Sequence, residues 1–118
     1  MLNSRLNTKP FFTMAWIWLF IAGLLEIAWA LGLKYSEGFT KLWPSVFTAI
    51  GMILSYVALS QAMKTLPVGT AYPIWTGIGA VGTAIFGIIL FNEPRTVMKI
   101  ISVVFIAAGI VGLKMSGD

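Results

Sequence analysis

A chain of 118 residues that is 58% hydrophobic and only 10% charged, with a mean hydropathy of +0.91, does not have the composition of a soluble domain, in which about 25% of residues are charged. It has neither Cys nor His, which excludes disulfides, thiolate or imidazole metal sites and imidazole bases. The net charge of +4 comes from basic residues scattered singly at the ends of apolar runs, a pattern of lipid-headgroup anchors rather than of a nucleic-acid surface.

Spans of about 20 residues fit this chain four times and leave only short connections, so the composition predicts an all-α membrane protein with no separate water-soluble domain. Residues 1–14 are polar apart from Phe11 and Phe12 and contain Arg5, Lys9 and Pro10. They read as an N-terminal tail or extension ahead of Met14, because the apolar run that follows is too long for a signal peptide and lacks a small-residue cleavage pattern. Residues 15–118 then form the transmembrane unit, with spans at about 15–33, 44–63, 69–91 and 98–114.

The first span holds one carboxylate, Glu26, in the middle of an uninterrupted apolar run. An acid at the centre of a membrane helix costs roughly 2.5 to 3.5 kcal/mol on insertion scales, and such groups face a bundle interior and mark an ion or substrate path. A structural ion pair is the competing explanation, but the only Lys or Arg within the four spans, Lys99 and Lys114, stand at the ends of the fourth. Gly23, Glu26, Trp29 and Ala30 share a face by three-and-four spacing. The span ends in the connection Lys34-Tyr35-Ser36-Glu37-Gly38-Phe39-Thr40-Lys41, where Gly38 marks a turn.

The second span opens near Pro44, a residue tolerated in a first helical turn. It carries Ser55 near its middle, at the approximate depth of Glu26. On its own terms such a serine either returns its hydrogen bond to a carbonyl one turn back or faces a site.

The third span is rich in glycine: Gly69, Gly77, Gly79, Gly82 and Gly87. Its run from Gly77 to Gly82 matches the G-x-G-x-x-G dinucleotide fingerprint. That fingerprint requires a preceding strand and a soluble βαβ unit, so a match inside a membrane span is rejected. The glycines instead let neighbouring helices approach and offer a place to bend, and with Pro73 they form a candidate hinge or portal at Pro73, Gly77, Gly79 and Gly82. Tyr72, Trp75, Thr76 and Gly79 lie close to one face.

The fourth span has no acid or amide within the membrane. Its feature is a stripe of small residues at Ala108, Gly109 and Gly112, expected to pack between subunits. With four spans, Arg5, Lys9, Lys64 and Lys114 fall on one side of the membrane and Lys34, Lys41, Arg95 and Lys99 on the other. This balance gives no positive-inside preference, so insertion in both orientations is expected. Two oppositely inserted copies would pair about an axis in the membrane plane, as inverted repeats do in larger transporters.

The segments Gly23-Leu24-Leu25-Glu26-Ile27-Ala28-Trp29-Ala30, Leu33 to Thr40, Leu66-Pro67-Val68-Gly69-Thr70-Ala71-Tyr72 and Ile74-Trp75-Thr76-Gly77-Ile78-Gly79-Ala80 together resemble the small multidrug resistance family, over nearly all of Met14 to Lys114. Trp29 resembles the guanidinium-exporter subtype, since the multidrug branch has a small residue at that place. The resemblance implies an antiparallel, dual-topology homodimer in a bacterial inner membrane that exchanges protons for guanidinium by alternating access. It implies that proton and cation share Glu26, that Trp29 and Ser55 hydrogen-bond and orient it, that Tyr72 and Trp75 form an aromatic lining, and that Gly23 leaves space beside the carboxylate. Partners would be a small organic cation, protons, lipid and a second copy, with no cofactor, no metal, no nucleic acid and no enzymatic chemistry.

Pro73 departs from the family, which more often has alanine there. Either the proline widens a lateral opening toward lipid, admitting substituted guanidines or hydrophobic cations, or it reshapes only local packing. Two other functions are weighed against guanidinium export: a broad quaternary-ammonium multidrug exporter, and a non-transporting subunit of a heterodimer.

Overall fold

The computed structural model describes residues 2–116, with side chains from Thr13 onward. Every regular element among them is an α-helix: α1 (Leu2–Tyr35), α2 (Leu42–Ala62), α3 (Val68–Phe91) and α4 (Val97–Ser116). All four contain a stretch long and apolar enough to cross a membrane, the first of them Thr13–Tyr35 within α1. The segment read as a polar tail is helical over its described part and continuous with that span. Polarity marks where the membrane-compatible stretch begins, and it does not stop a helix.

Each connection is short and internally bonded. Between α1 and α2 the backbone takes positive φ at Glu37, Gly38 and Phe39. The fully buried Ser36 holds this turn, its hydroxyl donating to the Leu33 carbonyl at 2.7 Å and accepting from the Phe39 amide at 3.1 Å. Pro44 sits in the first turn of α2, where its missing N–H breaks no helical bond. Helix α3 closes on Asn92 in the left-handed conformation, one of the few residues besides glycine that visits it readily.

Helix α1 lies between α2 and α3, while α4 runs along α3. The core is narrow, with Leu19, Ala22, Ala58, Ala62, Ala71, Ile74 and Trp75 buried along the α1–α2–α3 seam. No residue of α4 is buried. Its inner positions Ile106 and Ile110 seat against Gly77 of α3, and Lys114 places its ammonium 4.8 Å above the Trp16 ring of α1 in a cation–π contact. The whole measures 52 × 36 × 18 Å, so its thinnest dimension is under two helix diameters of about 10–12 Å. A slab of that thickness presents a site on a face rather than enclosing one.

Candidate functional site

The site is built where α1 comes closest to α3, and three missing side chains on α3 and α1 set that approach. A Cβ at Gly79 would stand 2.5 Å from both Cδ and Oε2 of Glu26. A Cβ at Gly23 would stand 2.5 Å from Cγ2 of Ile78. One at Gly82 would collide with the Ile27 side chain. Glu26 therefore lies against bare α3 backbone, with Gly23 three residues before it holding the same two helices together.

On the other flank of α1, Trp29 sits over Gly51 of α2, where a Cβ would be 3.0 Å from that of Trp29. Trp29 follows Glu26 by three residues, so the indole and the carboxylate are neighbours on the helix surface. Both are partly buried. Oε2 of Glu26 and the Trp29 indole N–H are buried atoms without a hydrogen-bond partner among the described residues. Buried polar atoms are paired in the great majority of cases, and each exception calls for a ligand, water or functional explanation. Here an unmet acceptor and an unmet donor sit one turn apart in an apolar span.

Ser55 occupies the centre of α2, fully buried. Its hydroxyl donates to the Ala22 carbonyl of α1 at 2.8 Å and accepts from the Trp75 indole N–H of α3 at 3.0 Å. One side chain thus links three helices. Its proton goes neither to its own helix nor to Glu26, where the family resemblance would send it, but to α1 one turn before the acid. A buried group left unmet costs about 1–3 kcal/mol, so this relay fixes the Trp75 ring firmly.

Trp75 is 5% exposed and serves as the floor of an aromatic cluster. Tyr72 tilts against it with centroids 5.4 Å apart, and Tyr56 of α2 meets it edge-on at 5.7 Å. Both tyrosines stand on the open face, 53% and 48% exposed. Tyr56 was not among the residues singled out from the sequence. The available signal was its phenol inside an apolar span immediately after Ser55.

Among the remaining candidates, Pro73 lies within the first turns of α3, exposed, and the helix runs on unbroken to Phe91. Gly77 is a contact point for α4, and Gly79 and Gly82 are contact points for α1. Ala108, Gly109 and Gly112 lie on the outer face of α4, exposed, and the two glycines have open space where a Cβ would be. A Cβ at Gly109 or Gly112 would meet no atom within 4 Å among the described residues.

The family model of the small multidrug resistance protein matches residues 14–106. Similar curated proteins include the guanidinium exporter of Proteus vulgaris, 61% identical over 103 residues that cover 87% of this chain and 99% of that protein. The guanidinium exporters of Citrobacter freundii and of Salmonella typhi are each 59% identical over 103 residues, covering 87% of this chain and 98% of theirs. With four helices of membrane-spanning length and a family match over most of its residues, the chain is a multi-pass membrane protein that belongs to the small multidrug resistance family.

Proposed function

We propose that this chain is a proton-coupled exporter of guanidinium, working in a bacterial inner membrane as an antiparallel, dual-topology homodimer. The observation that carries the reading is the Glu26 carboxylate, held in a membrane span against bare Gly79 backbone with an oxygen lacking a partner among the described residues. Guanidinium is planar and presents paired N–H donors that match a carboxylate in two-point geometry. Its faces stack on aromatic rings, and Tyr72, Trp75 and Tyr56 supply three near one another. Relatives at 59 to 61% identity bear the name guanidinium exporter, which supports the same substrate.

Transport follows from sharing. A carboxylate that holds either a proton or a cation exchanges one for the other, provided the empty dimer does not reorient freely. Trp29 would donate to the carboxylate and steer it, and Ser55 acts one step away by fixing Trp75. Gly77, Gly79 and Gly82 are where α3 would bend. The exposed stripe at Ala108, Gly109 and Gly112 would receive the second copy, and the thin slab would become one wall of a two-walled chamber.

The reading is tested with purified protein in liposomes under an imposed proton gradient, following guanidinium and proton fluxes together and repeating the assay with tetrapropylammonium. Guanidinium flux with opposite proton flux is the expected result, and its absence would sink the proposal. Pro73 is the position proposed to open the portal. Pro73→Ala is expected to restore the α3 hydrogen bond to the Gly69 carbonyl and, by closing the proposed lateral opening, to lower tetrapropylammonium flux relative to guanidinium. Equal ratios for both proteins would confine Pro73 to packing.

Orientation needs its own measurement. A single cysteine placed at Phe39, in the turn between α1 and α2, is expected to react with membrane-impermeant maleimide from both sides of the membrane in comparable amounts. Reaction from one side alone would refute dual topology.

A further inference from the structure

At the membrane end formed by the α1–α2 and α3–α4 turns, a cleft of about 330 Å³ opens between α1, α3 and α4. That is roughly ten times the ~30 Å³ share of a water molecule. Its mouth carries Lys34 from the end of α1 and Lys99 from the first turn of α4. Lys99 is paired with Glu93 at 3.2 Å. Lys34 has no carboxylate partner among the described residues, and its ammonium stands 6.0 Å from the Phe91 ring centroid. Two cations against one anion leave the mouth positive. On the cleft wall, the buried Thr83 hydroxyl has no hydrogen-bond partner among the described residues.

The cleft does not end at its mouth. Ala84 and Lys99 also line a second groove of about 240 Å³ between α3 and α4, whose other walls, Ile88 and Val103 among them, are apolar. A positive mouth at the level of the turns thus adjoins an apolar groove between α3 and α4, Ala84 and Lys99 lining both. Neither guanidinium nor a proton fits that combination, since Lys34 repels both. The occupant it suits carries a negative head and a hydrocarbon tail.

We propose that this cleft is a binding site for an anionic phospholipid, with the phosphodiester between Lys34 and Lys99 and one acyl chain in the α3–α4 groove. Basic pockets between membrane helices recognise anionic headgroups in this way. The chemistry differs from that of the Glu26 site, and the site stands or falls independently of transport.

The test is native mass spectrometry of the full chain purified in mild detergent and offered equal amounts of dioleoylphosphatidylglycerol and dioleoylphosphatidylcholine. The wild type is expected to retain the anionic lipid in preference. Lys34→Gln is expected to lower that preference about fivefold, the effect of one lysine near a charged lipid surface, while Lys34→Arg keeps it. Ala84→Leu, which narrows the junction of cleft and groove without changing charge, is expected to reduce retention of the anionic lipid as well. Equal retention of both lipids by the wild type, or an unchanged preference in folded Lys34→Gln, would overturn the site. Displacement of the lipid by millimolar inorganic phosphate would overturn the acyl-chain part, assigning the mouth to free phosphate.

Discussion

Glu26→Gln is expected to abolish proton-coupled guanidinium transport while leaving a folded protein. Gln has nearly the same shape, so the contact with Gly79 is kept and only the charge is removed. A hydrogen bond to a charged group is worth about 1.5 to 3 kcal/mol, which converts to a loss of cation affinity of about 10- to 100-fold. On the proposed mechanism coupling suffers more than affinity, because an amide cannot take up the proton that would drive exchange. The two effects separate with pH. If proton and cation share this one carboxylate as proposed, acidification of the wild type should weaken guanidinium binding and alkalinisation should strengthen it. In Glu26→Gln the residual binding should show no such slope. Coupled flux persisting in the variant would remove Glu26 from the centre of the mechanism.

Gly79→Ala is expected to impair binding by about tenfold or more and to leave stability intact. The new methyl would stand 2.5 Å from Cδ and Oε2 of Glu26 and 3.0 Å from its Cγ. The carboxylate, being the end of a flexible side chain, must swing away from its present place. The helix itself gains, because alanine is favoured over glycine in a helix interior by about 1 kcal/mol. A control is supplied by Gly69→Ala, where open space surrounds the position and no change in binding is expected. Isothermal titration with guanidinium, set beside thermal unfolding of the same samples, reads both quantities. Unimpaired binding in Gly79→Ala would mean that the carboxylate does not work from its position against α3.

The four spans and the central acid were legible in the sequence for one reason. A single charge in an uninterrupted apolar run stands out without any knowledge of tertiary structure, and so do runs of about 20 apolar residues. Partners were not legible. The Ser55 hydroxyl bonds to Ala22 on another helix and receives the Trp75 indole from a third, a geometry that no local pattern encodes. The glycines of α3 announced close approach, yet what fills each notch differs: Glu26 at Gly79, Ile27 at Gly82 and Ile110 at Gly77. Tyr56 passed unnoticed because a tyrosine in a membrane span reads as apolar filling until Trp75 is seen beside it. In the sequence Lys34 and Lys99 are separate headgroup anchors, and only the fold brings them to one cleft.

The order in which the helices touch also bears on how the protein is made. Helix α2 docks on α1, α3 on α1, and α4 on α3, so during synthesis every helix after the first finds its neighbour already in the bilayer. Nothing inserted earlier has to be displaced to admit a latecomer. Among the described residues, α4 is also the helix with no buried position, so the helix that follows the other three is the one least covered by them.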